Sequence, residues 1–153
     1  MTRLGWWHRF FGRRSAVALD RDRTDLVVVV SSVDDAEACS TALDRGAATD
    51  PRWSPEAEAV LRHHLRLPAD AVDRAAELAA QDGYTVALAP GDVPNVDDTD
   101  GLVTVVLHRT QVLDALHCSQ ERSRMAGLAQ RAGGTVVGWD ALQPPPDQGA
   151  RTD

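Results

Sequence analysis

Two pairs of adjacent side chains have the types needed for chemistry, His63-His64 and His117-Cys118. Two imidazoles can bind a metal ion, and an imidazole beside a thiol can activate it as a nucleophile. The spacing argues against both, because adjacent strand residues point to opposite faces and adjacent helix residues diverge by about 100°. We therefore expect no metal, no cofactor and no catalytic residues, and we predict that the chain is not an enzyme.

The loop from Ala89 to Gly101 contains four aspartates, which raises the question of a calcium site. A calcium-binding loop aligned on Gly101 needs oxygen ligands at Asp100, Asp98 and the position of Val96, then a glutamate six residues after the glycine. Position 96 is a valine and the later position is Leu107, so two of these four ligands are missing. The segment therefore indicates a solvated hairpin loop.

Two segments alternate between apolar and polar residues with a period of two, which is typical of strands with one buried face. The first is 60–67, and its predicted inward residues are Leu61, His63, Leu65 and Leu67. The second is 102–108, and its predicted inward residues are Val103, Val105 and Leu107. Tyr84, Val86 and Leu88 indicate a further strand between them, and Thr135 to Asp140 indicates a closing one.

Alanine-rich helical patterns separate these strands, and glycines mark their ends at Gly83 and Gly133. For the last helix we predict one buried stripe, made of Leu116, Met125, Leu128, Ala129 and Ala132. The order strand, helix, strand, strand, helix, strand predicts an α+β fold, a ferredoxin-like βαββαβ sandwich. It would have a four-stranded antiparallel sheet with two helices on one face.

An extra strand-helix unit precedes this sandwich. The continuous apolar run Val27 to Val30 indicates a strand covered on both faces, and the helix after it is expected to stop at Gly46. The predicted organisation is a basic aromatic tail (1–23), this extension and connector (24–58), the ferredoxin-like domain (59–142) and a disordered tail (143–153).

The outward residues of the two central strands form the remaining candidate site, after the metal, cysteine and calcium hypotheses. Pairing these strands sets Arg62, His64 and Arg66 beside Thr104 and His108. Such a basic, titratable patch suits an acidic peptide or RNA, but RNA-binding sheets of this topology stack bases on aromatic residues, and none lies here. The alternative is that the unit before residue 46 covers this face.

Charge is distributed unevenly between the start of the chain and the rest. Residues 1–23 carry six arginines and two aspartates, so +4, which leaves −11 for the remainder of the net −7. An acidic body disfavours direct nucleic-acid binding. The aromatics of the tail are Trp6, Trp7, Phe10 and Phe11. They suit a peripheral membrane anchor, a docking peptide for an acidic partner, or a tail that packs back on the body.

No run approaches the roughly 20 apolar residues of a membrane span, and the first residues lack the apolar core of a secretory signal. Cys39 and Cys118 have no metal-like spacing, so we expect packed free thiols in a reducing compartment. These observations predict a cytoplasmic protein.

From about Leu43 to Leu142 the chain resembles the regulator of ribonuclease E activity B family, also described as ribonuclease E inhibitor proteins. The resemblance is carried by the segments Arg62–Leu65, Gln81–Tyr84, Thr104–Leu107 and Ala132–Trp139. The basic aromatic tail and the unit before Arg45 lie outside it, and the acidic C-terminal extension of some members is nearly absent. The resemblance implies a ferredoxin-like fold and a non-catalytic protein that binds an endoribonuclease and lowers RNA cleavage.

We therefore expect a protein–protein regulator that contacts its partner, a ribonuclease, through the outward sheet face and the surface near Trp139. Two alternatives stay open. Small-molecule-sensing regulatory domains share the βαββαβ order, and a membrane-associated adaptor would use the aromatic tail. The sequence leaves the oligomeric state open.

Overall fold

The structure, a computed structural model, describes residues 18–87, 96–97 and 101–146, with the backbone alone for 96–97. Its strands are β1 (Val27–Ser32), β2 (Glu58–Pro68), β3 (Thr85–Val86), β4 (Val96–Asp97), β5 (Leu102–Val112) and β6 (Thr135–Gln143). Its helices are α1 (Cys39–Ala48), α2 (Val72–Ala80) and α3 (Ala115–Arg131), and a 3₁₀ turn at Ala69–Ala71 leads into α2.

These strands form one antiparallel sheet in the order β1-β6-β2-β5-β3, and β4 pairs with β5. The α+β class is confirmed, and β2 and β5 are neighbours as expected. The predicted count of four strands is wrong, because the described residues alone form a sheet of six. The N-terminal strand joins the same sheet beside β6, and the loop before β5 contributes β4.

The predicted inward faces of the central strands are confirmed. Leu61, His63, Leu65 and Leu67 are each at most 1% exposed, as expected from the alternation along β2. Their neighbours across β5 (Val103, Val105 and Leu107) are buried on the same side. Helices α2 and α3 cover this part of the sheet, and α1 covers the part beside β1 and β6.

β1 does not have two covered faces, contrary to the prediction. Among the described residues it pairs with β6 alone, at the edge of the sheet, and Val28 is 43% exposed. The register shifts between Val28 and Val30, so Val29 and Val30 are both buried in the core. The apolar run thus reflects a bulge that turns two consecutive side chains inward.

Gly46 does not end its helix, because α1 continues to Ala48. A Cβ atom at Gly46 would lie 2.6 Å from Val30 Cγ2 and 2.7 Å from the Val29 carbonyl oxygen. The glycine therefore permits close packing of the helix against β1. By contrast, Gly83 and Gly133 follow their helices with φ of +83°, as expected for helix stops.

The buried stripe of α3 begins later than predicted. Leu116 is 65% exposed, whereas Met125, Leu128 and Ala129 are buried as expected. The stripe starts at Cys118 and includes Glu121. Leu116 precedes Cys118 by two residues, so it points about 200° away from the stripe.

Candidate functional site

The face of the sheet opposite the helices brings the predicted site residues together. We call it the open face and define it by Arg62, His64, Arg66, Thr104, Val106, His108 and Asp140. Arg62 pairs with His108, His64 with Val106, and Arg66 with Thr104, as the alternation predicts. β6 adds Asp140, which lies directly across from Arg62.

The β1–α1 unit does not cover the open face. β1 extends the sheet at its edge, and α1 packs in the opposite core, where Cys39, Ala42 and Leu43 cluster with Leu61 and Trp139. The alternative that this unit shields the site is therefore wrong.

A short segment before β1 does reach one end of the open face. We call residues 18–26 the strap. The Leu19 amide donates to Glu58 Oε1 at 2.7 Å, and Val60, which lies on the same side of β2 as Arg62 near this end, is only 2% exposed. The strap leaves the middle of the face accessible, since the Arg62 and His64 side chains are each 29% exposed.

Arg62, His64 and Asp140 form an ion-paired cluster at the centre of the open face. Arg62 Nε and Nη2 donate to the two carboxylate oxygens of Asp140, each at 2.7 Å. His64 Nε2 lies 3.1 Å from Asp140 Oδ2. Burial raises the pKa of Asp140, but the hydrogen bonds from Arg62 and His64 lower it by a larger amount. The pKa of Asp140 therefore lies below the ordinary aspartate value. The patch is less basic than predicted, because this carboxylate neutralises Arg62.

The remaining predicted residues surround this cluster. Arg66 Nη2 lies 3.4 Å from the Leu102 carbonyl oxygen, and Thr104 is exposed. His108 is half-buried, and its pKa is lowered by burial first and by the charge of Arg21 in the strap second. The face therefore presents polar and charged groups that are held in place by the sheet.

Trp139 lies on the other face. It pairs with His63 across the strands and is 3% exposed within the core beside α1. Its indole Nε1 has no hydrogen-bond partner among the described residues. Its predicted role in partner binding stays a prediction, with no exposed ring to support it.

A buried polar cluster lies beneath the open face, on the helix side. Tyr84 donates its hydroxyl to Glu121 Oε1 at 2.7 Å, and His63 Nε2 lies 3.4 Å from the same hydroxyl. Arg109 Nη2 and Arg124 Nε contact Glu121 at 3.3 Å and 3.2 Å. Burial raises the pKa of Glu121, whereas the Tyr84 hydrogen bond and both arginines lower it, with a net decrease. The Tyr84 pKa is raised, chiefly by burial and then by its hydrogen bond to Glu121.

Sequence reasoning identified neither Asp140 nor Glu121 as a partner in these clusters. Asp140 is 78 positions from Arg62, so only the pairing of β2 with β6 brings them together. Glu121 could have been found, since it lies three residues after Cys118 and four before Met125, on the buried stripe.

His117 and Cys118 point apart, as their spacing on the helix predicts. His117 Nδ1 lies 2.6 Å from Asp114 Oδ2 and is exposed, whereas Cys118 is fully buried. Burial, followed by a hydrogen bond with Cys39, raises the pKa of the Cys118 thiol. Both cysteines are free and packed in the core, as expected.

Within the described part of the chain, no three His, Cys, Asp or Glu side chains group as metal ligands, and no helix could cross a membrane. Trp6, Trp7, Phe10 and Phe11, together with Asp98 and Asp100 of the calcium-like loop, lie outside the described residues. No protein-family model, curated protein or solved structure matches the chain.

Proposed function

We propose that this chain is a non-catalytic protein–protein regulator whose residues from β2 onward form a ferredoxin-like sandwich. The strand order β6-β2-β5-β3, with α2 and α3 on one side, supports this fold. β1 and α1 then extend the sandwich at the β6 edge.

The open face is the observation that carries the proposal. No described helix lies over this sheet face, so it is a surface available to another macromolecule. Three of its side chains, Arg62, His64 and Asp140, are already fixed by one another. Arg62 and His64 are held by Asp140, so binding costs them little side-chain entropy. We propose that the partner is a cytoplasmic RNA-degrading endoribonuclease, on the strength of the family resemblance, and that the protein inhibits by occupying the RNA path or an assembly surface.

Two open-face substitutions test the binding surface without breaking the central ion pair. Arg66→Glu reverses a charge, and Thr104→Arg adds bulk at an exposed position. Each should reduce partner affinity at least tenfold, because interface charge reversals and steric blocks remove complementarity. The controls are Arg74→Glu on α2 and Thr41→Arg on α1, which make the same changes on exposed positions of the helix side.

The measurement is co-purification with a tagged chain, followed by mass spectrometry, and then RNA cleavage by the captured enzyme with and without added protein. Equal capture by the open-face variants and their controls would reject this surface. Capture of a partner without a change in RNA cleavage would reject inhibition and retain the binding surface.

A further inference from the structure

A groove lies between α3 and β6, away from the open face. We call it the α3–β6 groove. It has a volume of about 690 Å³ and is bounded by the loop after β1 (Ser32–Asp35), one side of α3, and the start of β6 with the residue before it (Gly134–Trp139). Its α3 wall includes the exposed Ala126, so a large side chain has room above the helix.

The sheet has a step in its edge at this groove. β1 pairs with β6 only over Trp139–Gln143, so Thr135–Val137 has a strand neighbour on the β2 side alone within the described residues. Val33 and Val137 lie beside the step and are 82% and 45% exposed. The groove therefore offers both unpaired backbone and apolar side chains to an extended segment.

The charged groups of the groove favour a cationic occupant. Asp34, Asp35 and Arg122 line it. Arg122 Nη1 donates a hydrogen bond to the Glu37 carbonyl oxygen, and Arg45 Nη1 donates to the Glu37 carboxylate at 2.7 Å. The two aspartates thus outnumber the one lining arginine.

We propose that the α3–β6 groove binds residues 1–17 of the same chain, which we call the leader. The leader contains four arginines and no acid, so it carries +4, and −7 − (+4) leaves −11 on the rest of the chain. Its Trp6, Trp7, Phe10 and Phe11 supply the apolar surface that the exposed valines and Ala126 accommodate. The arginines lie against Asp34 and Asp35.

The open face is a poorer site for the leader, because Asp140, its acidic member, is already paired with Arg62. The tryptophans can also reach the groove. Trp6 lies 12 residues before the first described residue, a stretch that extends up to about 40 Å, whereas the 11 residues of β2, which run along the sheet, span about 36 Å. Since the leader is tethered to the groove, its effective concentration is on the order of millimolar, and even a weak site is filled.

The test labels the full chain with 5-fluorotryptophan and records ¹⁹F NMR spectra in H₂O and D₂O. Trp53 and Trp139 are buried, so Trp6 and Trp7 report on the leader, and Trp→Phe variants assign the four signals. We expect at least one leader tryptophan with a solvent isotope shift less than half that of the free amino acid. Two fully solvent-exposed leader tryptophans would overturn the proposal.

Two groove variants complete the test, each with a matched control. Asp35→Lys reverses a charge in the groove, and Asp44→Lys makes the same change on α1. Ala126→Lys blocks the groove, and Ala47→Lys adds the same side chain to an exposed position of α1. Only the groove variants should expose the leader tryptophan.

Equal spectra for groove variants and controls would place the leader elsewhere and overturn the proposal. So would protection that depends on protein concentration, which indicates the groove of a second copy. Protection that requires vesicles of phosphatidylglycerol would assign the leader to a lipid surface. The outcome is independent of the ribonuclease proposal, because no partner is present.

Discussion

His63 and His64 are consecutive, yet they belong to opposite sides of the sheet with different chemistry. His63 is 1% exposed, its Nδ1 lacks a hydrogen-bond partner among the described residues, and burial lowers its pKa to about 4. His64 is 29% exposed and lies beside the carboxylate of Asp140. One step along a strand therefore separates a core imidazole from a surface one.

The two polar clusters around these histidines differ in the same way. On the helix side, the Glu121 side chain is 7% exposed and contacts three partners, Tyr84, Arg109 and Arg124. On the open face, Asp140 is 13% exposed but its partners still reach water. This comparison indicates that the inner cluster stabilises the fold, whereas the outer cluster organises a surface.

Removing Glu121 should have the largest effect on stability. Glu121→Leu removes the acceptor of the buried Tyr84 hydroxyl and the carboxylate that faces Arg109 and Arg124, and breaking a buried ionic cluster costs about 4 kcal/mol. Urea denaturation should show this loss, with Glu77→Leu on exposed α2 as the control at under about 0.5 kcal/mol. A loss for Glu121→Leu as small as the control's would show that the inner cluster does not stabilise the fold.

The pH dependence of stability should report the burial of His63. His63 has a folded pKa of about 4 against an ordinary value of 6.5, so the unfolded state binds the extra proton between these values. Its contribution is full above about pH 6.5 and is lost as pH falls to about 4, in total about 3 kcal/mol.

The measurement is the free energy of unfolding from pH 7.5 to 4 for the wild type and His63→Gln. Glu121 and Arg109 face position 63 in both proteins, so their titration is common to them. His63→Gln should flatten the profile. Parallel profiles for the two proteins would contradict the buried neutral imidazole.

Asp140→Asn should have an intermediate effect of about 1.5 kcal/mol, because it weakens a charge-assisted, two-point hydrogen bond with Arg62 that is only partly buried. Denaturation at pH 7 measures it. Since the Asp140 pKa is lowered in the fold, this contribution is present above the unfolded value near 4 and is lost as pH falls below it. A loss equal to that of Glu121→Leu would erase the distinction between the clusters.

His64→Gln should have the smallest effect, under about 1 kcal/mol, since one partly exposed hydrogen bond changes. The same variant should reduce partner capture, if the outer cluster organises a binding surface. Unchanged stability together with unchanged capture would show that His64 contributes neither to the fold nor to partner binding.

The period-two alternation predicted the faces of β2 and β5 and therefore the neighbours of Arg62, His64 and Arg66. Gly83 and Gly133 predicted where α2 and α3 end, and both glycines have positive φ in the structure. Gly46 misled the prediction, since its reason is contact with Val29 and Val30, which no local pattern reveals. The valine run predicts two covered faces, and this is wrong because a bulged strand and a strand covered on both faces have the same apolar sequence.

The site was predicted only in part, because Asp140 is far from Arg62 in the sequence. Residues on one strand are related by spacing, but Asp140 reaches Arg62 through strand pairing that spacing does not specify. The charge of the open face therefore depends on a residue that the alternation along β2 could not reveal.

The edge of the sheet where the first residues of β6 extend beyond β1 has one further consequence. Unpaired strand edges are templates for association with other chains, and natural proteins shield them. If the leader fills the α3–β6 groove, it protects this edge against aggregation. Conditions that release it, such as high salt, should then favour self-association of the protein in concentrated solution.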